Sequence, residues 1–379
     1  MKKSILFVND EMCVGGVSKV LINLLNMIDR DRYNIDLLVL HAHGDYLDDV
    51  PSYVNLIRGT SFFEVCDTPV KECLKNGKIL NKINFYLRIK NGSIRKDINR
   101  EVKKMGLKKY DVAIAFKEGF SSIFVSCLDA NKKINWIHSD YSIKNYAANY
   151  METMKMVLKE FDYNVAVSKK AADSFKDIFE LDEVLTIHNI LETEKILKLS
   201  KESVEYRDDC LTFVCVGRLH PQKAYDRLIR VCAKLRLNYN IYILGEGEQK
   251  SELEALLKEL DVNNIYLLGN KSNPYPYIKE ADCLLLCSLY EGLPTVVYES
   301  LILHTPVLST LVAGVDEQLM DKYGIIVDND EEGLYKGLNS VINNPRVLNK
   351  YRDNLSDYKY ENKEILESIY KLIDGGIWS

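Results

Sequence analysis

Short, unbroken apolar runs recur along the chain, and stretches of helical period separate them. A first set lies at Ser4–Val8, Ile35–Leu40, Val112–Phe116, Ile134–Ile137, Tyr163–Val167 and Val184–Ile187. A second set follows at Leu211–Val216, Ile241–Leu244, Ile265–Leu268, Cys283–Cys287, Pro306–Ser309 and Gly324–Val327. A run without polar alternation suits a strand buried on both faces of a parallel sheet, where helices cover each side. The intervening segments, such as SKVLINLLNMI and KSELEALLKEL, repeat their apolar residues at the helical spacing. Strands alternating with helices predict parallel sheets with right-handed crossovers.

The two sets divide near Glu192 to Asp209, a charged and weakly periodic stretch without a Pro/Gly linker. At 379 residues the chain exceeds one ordinary core, so two doubly wound Rossmann-like α/β domains are expected. We place them at 1–192 and 193–357, with a helical tail at 358–379 (ENKEILESIYKLI, then a break at Gly375–Gly376). No apolar run approaches the ~18 residues of a transmembrane helix. The start, MKKSILFVND, imitates a signal peptide, but its apolar stretch is too short and Asn9 and Asp10 follow at once. It reads as a first buried strand, and a cytosolic protein is expected. Nine scattered cysteines, with no C-x-x-C pair, read as reduced structural thiols and not as a zinc site.

Net charge is −5, which gives the chain no nucleic-acid character, but the charge is uneven. From Lys71 to Lys109 there are 13 Lys and Arg against 3 Asp and Glu, a local net of +10. One reading is a solvated helical face. A sharper one is a surface that docks on anionic lipid headgroups, where each basic residue contributes about 1 kcal/mol. RNA binding is disfavoured, since only Phe85 and Tyr86 interleave as aromatics.

Candidate chemistry concentrates near Glu291 and Glu299, which bracket EGLPTVVYE after the apolar run Ala281–Tyr290. Pro294 predicts a helix start at that residue, with Glu291 on the loop before it and Glu299 on the second turn. Free amides at such a start suit an anion such as a diphosphate. A carboxylate on either side suits hydroxyls at both ends of the ligand, as in a nucleotide sugar. The plainer alternative is a dipole partner and a solvated glutamate.

Other turns at carboxyl ends of strands add to this. In VGRLHPQKAYDRLIRV, Arg218 and Lys223 flank a helix start, where cations are disfavoured unless an anion binds. Gly15–Gly16 would let the backbone approach a phosphate or sugar, or only make a βα turn. Gly245 and Gly247 in ILGEGEQ allow the same two readings. His138, in INWIHSDY, stands at the ligand end of the first sheet; His188, in TIHNI, is similarly placed with less support. Gly269–Asn270 reads as a turn near a nucleotide base. Asp328-Asn329-Asp330 spells D-x-D, but its place before DEEGLYKGLNSVI makes it a helix-capping loop.

Taken together, Gly15–Gly16, VGRLHPQKAYDRLI, ILGEG and EGLPTVVYESL with TPVLSTLVAGVDE resemble the retaining glycosyltransferases of the GT-B fold, family four (group 1). The resemblance implies two Rossmann-like domains facing a cleft. The first would bind the acceptor, the second the nucleotide sugar, and the C-terminal helix would cross back onto the first. It implies that Arg218 and Lys223 hold the donor diphosphate. Glu291 would bind sugar hydroxyls beside the amides of Gly292, Leu293 and Thr295. Glu299 would contact the ribose, His138 would reach the transferred sugar, and Gly16 would approach the diphosphate or acceptor. Many members have Gly where this chain has Pro294, so one amide contact is missing here.

The expected activity is retaining, metal-independent transfer from a nucleotide-diphosphate sugar, a UDP-sugar first among them, with no further cofactor. The leaving diphosphate itself would take the acceptor's proton. The basic segment motivates a lipid-linked oligosaccharide acceptor, as in bacterial capsule or exopolysaccharide assembly, reached from an anionic membrane surface. A GT-B-fold UDP-GlcNAc epimerase or hydrolase would need further cleft carboxylates. A non-catalytic partner subunit would not need Arg218, Lys223, Glu291 and Glu299 together. The sequence assigns no oligomeric state.

Overall fold

The structure, a computed structural model, describes residues 2–66, 68, 70–142, 151–204, 206, 210–235 and 238–376. Part of the boundary stretch expected from the sequence, residues 205 and 207–209, lies outside them. The chain divides into two compact units, Met1–Leu191 with Asn362–Ser379, and Glu192–Glu361.

The first unit holds β1 (Lys3–Asn9), β2 (Tyr33–Val39), β3 (Asn55–Arg58), β4 (Tyr110–Ala115), β5 (Ala130–Ile137), β6 (Tyr163–Ala166) and β7 (Leu185–Thr186). They form one sheet in the order β3-β2-β1-β4-β5-β6-β7, every pair parallel. The second unit holds β8 (Leu211–Val216), β9 (Tyr239–Leu244), β10 (Ile265–Gly269), β11 (Cys283–Leu286), β12 (Val307–Thr310) and β13 (Gly324–Val327). Their order is β10-β9-β8-β11-β12-β13, again all parallel. Each apolar run of the sequence contains a strand. Only β3 has no such run: it is an edge strand whose side chains are half-buried or exposed, so no apolar stretch was selected there.

In both sheets the strand order reverses once, between β1 and β4 and between β8 and β11. Loops from the two neighbouring strands diverge at such a point and leave a crevice at the carboxyl edge. The core of the first unit runs through Leu6, Phe63, Phe85, Phe120, Phe124 and Phe175; that of the second through Phe213, Leu228, Ile241, Leu285 and Leu338. All nine cysteines are free thiols. Burial pushes Cys232, Cys283 and Cys287 up to about 12, so they are inert packing groups.

The C-terminal helix, Asn362–Asp374, belongs to the first unit and buries Ile369, Leu372 and Ile373. Asn362 exchanges two hydrogen bonds with Leu191, at 2.6 and 3.1 Å. At the other end the Asp374 carboxylate accepts from Lys3 (2.8 Å), Arg32 and the Tyr33 hydroxyl (3.1 Å). Lys132 Nζ caps the last turn by donating to the Leu372 carbonyl at 2.7 Å, a favourable place for a cation.

Candidate functional site

In the second unit the loops after β8 and β11 meet beside the switch point. Lys223 Nζ lies 2.6 Å from Glu291 Oε1, which also accepts from Ser288 Oγ at 2.7 Å. Gln222 Nε2 donates to the Tyr290 carbonyl at 2.8 Å and reaches Glu291 Oε2 at 3.4 Å. The Lys223 and Glu291 side chains are only 18% and 12% exposed, so the pair is largely withdrawn from water. Arg218 is exposed and, among the described residues, forms no ion pair. One cation is thus locked on a carboxylate while the other points out unneutralised.

The turns that carry these groups are built by close backbone approach. An added Cβ on Gly217 would sit 2.8 Å from Lys223 Cε, so the missing side chain is the channel through which Lys223 reaches Glu291. Lys223 itself lies in a 3-10 turn, Pro221–Lys223, and the helix proper is Tyr225–Cys232. At Gly245 a Cβ would lie 2.0 Å from the Gly217 carbonyl oxygen, and at Gly247 2.3 Å from that of Leu219. Those two glycines are required by the chain's own packing.

The helix after Glu291 is Thr295–Ile302, and Pro294 is its N-cap with extended backbone instead of its first residue. The amides of Thr295 and Val296 stand at the helix start, where intrahelical acceptors are lacking. The Pro294 carbonyl accepts from Val297 N (3.1 Å) and from Gln318 Nε2 (3.0 Å), which pins the loop. Glycine at 314, with φ 79, leaves room for Leu293 and the Gly292 carbonyl. Glu299 is on the second turn as expected, but it is 2% exposed. A ribose would have to be received at that depth, not at an open surface.

Asn270 is exposed at the carboxyl end of the edge strand β10, two strands from β8. Asp330 caps the helix Glu331–Asn343, its side chain accepting from Gly333 N at 2.7 Å. Asn329 ties the neighbouring loops together: it donates to the Leu289 carbonyl at 2.8 Å and to that of Leu311 at 3.3 Å, and accepts from Arg227 at 2.9 Å. Within the D-x-D segment, Asp330 is thus engaged in capping and Asn329 in fastening the loops.

In the first unit His138 follows β5, one strand beyond β4. Its ring donates to the Phe116 carbonyl, and burial depresses its pKa from 6.5 to about 3. The imidazole is therefore neutral at ordinary pH, and its buried Nε2 has no hydrogen-bond partner. That leaves one acceptor lone pair and no proton to give. Glu118, after β4, accepts from the His138 amide at 2.9 Å. Burial raises the Glu118 pKa, opposed by hydrogen bonds from Ser139 and His138. Asp10, after β1, accepts from Ser121 Oγ at 2.6 Å and faces Lys117 at 3.2 Å. Neither carboxylate was marked by the sequence, since each lies in a short polar loop with no pattern of its own. His188 follows the outermost strand, β7, two strands beyond β5.

Gly15 and Gly16 differ from the glycines of the second unit. A Cβ on Gly16 would meet nothing within 4 Å, and one on Gly15 only the Cys13 carbonyl at 4.0 Å. The chain's own packing does not require glycine here, and the turn faces open space. Beside it, Glu11, Cys13 and His43 come together, although no cluster at metal-ligand spacing was expected. Cys13 Sγ lies 3.2 Å from His43 Nδ1, and Glu11 Oε2 3.7 Å from His43 Nε2. The two partners address opposite nitrogens of one ring, yet one ligand atom from each of the three residues lies within 4.8 Å of the others, a spacing that could hold a metal ion.

The His138 pKa carries a stability prediction. Below about pH 6.5 the unfolded chain takes up a proton at this position, while the folded one does not until about pH 3. Its share of stability is present above pH 6.5 and falls by roughly 1.4 kcal/mol per pH unit below it. Urea melts from pH 7 to pH 4 should show a shallower loss for His138→Gln than for the native chain. Parallel curves would refute the buried neutral imidazole.

The two parallel, doubly wound units define a two-domain α/β protein of the GT-B class. Residues 198–362 match the family model of glycosyl transferases group 1. It is 31% identical over 171 residues (44% of this chain, 46% of the relative) to the N-acetylgalactosamine-N,N'-diacetylbacillosaminyl-diphospho-undecaprenol 4-alpha-N-acetylgalactosaminyltransferase of Campylobacter jejuni. It is 25% identical over 365 residues to an uncharacterized glycosyltransferase of Haemophilus influenzae, covering 93% of this chain and 94% of that one. The chain spans about half the length of the first relatives it matches. The fold is similar to that of Anabaena HepE solved with UDP and glucose: TM-score 0.71 and 14% identity, over 98% of this chain and all of that one.

Proposed function

We propose that this protein transfers a sugar, with retention, from a nucleoside-diphosphate donor, a UDP-sugar, to a hydroxyl of a lipid-linked oligosaccharide in bacterial surface-polysaccharide assembly. The observation that carries the reading is the Lys223–Glu291 pair beside the unneutralised Arg218 at the β8/β11 switch point. Arg218 forks onto the diphosphate, and Lys223 is drawn between it and Glu291. Glu291 accepts from sugar hydroxyls, and the amides at Thr295 and Val296 add dipole charge. The bond from the anomeric carbon to the diphosphate breaks, and the acceptor oxygen bonds to that carbon on the same face. The acceptor's proton passes to the departing phosphate oxygen. Two cations already meet the charge that develops on the leaving group, so no divalent ion is assigned a role.

Two likenesses support the choice of substrates. The Campylobacter relative is named for an undecaprenol-diphosphate acceptor, and the Anabaena structure contains UDP and glucose. The basic Lys71–Lys109 segment supports an acceptor held at an anionic membrane. Among the described residues no helix is long and apolar enough to cross a membrane.

A panel of UDP-, GDP- and ADP-sugars in thermal-shift measurements should single out UDP-sugars. Transfer to a polyprenyl-diphosphate-linked oligosaccharide should survive EDTA, and the NMR coupling constant of the product should keep the donor's anomeric configuration. Inversion, or loss of activity to EDTA with rescue by a divalent ion, would overturn the mechanism. Donor consumption without any transfer product would favour a hydrolase.

A further inference from the structure

Large exposed apolar side chains are unevenly placed. Of the 12 in the described chain, five fall between residues 70 and 87: Val70, Leu74, Leu80, Ile83 and Leu87. They lie on two successive helices, Val70–Lys75 and Ile79–Lys90. On the second helix, Leu80, Ile83 and Leu87 follow the i, i+3, i+7 spacing of one stripe. Phe85 and Ile89 occupy the opposite side and are buried in the core of the first unit. The helix is thus apolar on two faces. One is used for folding, while the other has Leu80 70%, Ile83 48% and Leu87 54% exposed.

The charges around this stripe sort into two groups. Lys82 is buried and donates to the carbonyls of Val65, Cys66 and Thr68 at 3.0, 3.2 and 2.6 Å, closing a preceding turn. Lys78 pairs with Glu64, Arg88 and Arg100 with Asp97, and Lys104 with the buried Glu101. These cations are committed to the fold. Lys71, Lys75 and Lys90 are exposed and form no ion pair among the described residues, and all three lie on the helices that carry the stripe.

We propose that the Val70–Lys75 and Ile79–Lys90 helices seat the protein on an anionic bilayer. Leu80, Ile83 and Leu87 enter the acyl boundary, while Lys71, Lys75 and Lys90 meet lipid phosphates. An exposed apolar stripe rimmed by unneutralised lysines is the signature of a helix lying in the membrane interface. A patch meant for a soluble acidic partner would not need three bare aliphatic residues in line, and a solvated face would not have them. This inference deepens the lipid-linked acceptor reading and rests on it for its purpose. It adds a component of binding that salt does not screen.

The test is co-sedimentation of the full chain with vesicles of phosphatidylglycerol and phosphatidylcholine in equal parts, at about 0.1 M and about 1 M salt, where the Debye length falls from about 10 Å to about 3 Å. The native chain should bind at low salt and retain a measurable fraction at high salt. Leu80→Ser with Ile83→Ser and Leu87→Ser should lose the salt-resistant fraction and weaken binding by at least about tenfold at low salt. Lys71→Gln with Lys75→Gln and Lys90→Gln should lose most of the salt-sensitive part. All six positions are surface sites, so circular dichroism and hydrolysis of UDP-sugar in the absence of vesicles should match the native chain. Equal vesicle binding by the apolar variant and the native chain would overturn the proposal. So would a native dimer that the apolar variant converts to monomer, because the stripe would then cover a second copy. Failure to bind vesicles with UDP-sugar hydrolysis intact refutes docking and leaves glycosyl transfer standing. Vesicle binding without donor turnover supports docking and refutes the transfer reading.

Discussion

Replacing Arg218 or Lys223 by alanine is expected to lower turnover by about 10²-fold or more, with the loss in kcat and not in KM. Charge grows on the diphosphate as the sugar departs, and a cation held in place beforehand stabilises that state more than the bound donor. The two variants should differ in stability. Arg218 is exposed and unpaired among the described residues, so its loss should leave the melting curve unchanged. Lys223 is the counterion of a largely buried carboxylate, with Ser288 and Gln222 left to satisfy Glu291 alone. Lys223→Ala should therefore also cost about 1–2 kcal/mol of stability. Arg218→Lys should recover part of the rate, because it restores the charge but not the planar fork. Steady-state kinetics with a UDP-sugar, alongside urea melts, would read all three. Near-native kcat in both alanine variants would remove the diphosphate from this site.

Gly245→Ala or Gly247→Ala should unfold the second unit more readily instead of merely weakening donor binding. A methyl group at 245 would sit 2.0 Å from the Gly217 carbonyl oxygen, and the φ of 157 is strained for other residues. At 247 it would sit 2.3 Å from the Leu219 carbonyl oxygen. Both obstacles are backbone and cannot swing aside, so the loops after β8 and β9 must separate. A loss of about 3 kcal/mol is expected, a fall of roughly 10 °C in the melting midpoint. Gly16→Ala is the control: its Cβ meets nothing within 4 Å, so stability should hold. A melting temperature unchanged by Gly245→Ala would mean that the two loops are not packed as described.

Much of the fold is legible in one dimension because a parallel sheet demands it there. LTFVCV, CLLLC and the other buried strands must be apolar on both faces, and that requirement is met residue by residue within each segment. β3 escapes because an edge strand with half-exposed side chains needs no such run. The capping role of Asp330 was also legible in the sequence, since capping is a contact three residues long. Residue types such as Arg218, Lys223 and Glu291 stand out because they sit at strand ends where ligands bind.

Which of those residues touch was decided only by tertiary structure. Lys223 and Glu291 are 68 positions apart and meet because β8 and β11 are neighbours in a sheet whose order the sequence does not spell. The two glycine pairs look alike in sequence. Packing separates them: backbone fills the space at Gly245 and Gly247, and nothing fills it at Gly16. The 13 cations of Lys71–Lys109 add to one sum along the chain, but folding commits Lys82 to carbonyls and Arg88, Arg100 and Lys104 to buried carboxylates. Local patterns are written by burial that each segment must satisfy by itself. Pair contacts, a free or occupied charge and a space left open depend on which segments meet, and that is a property of the assembled sheets.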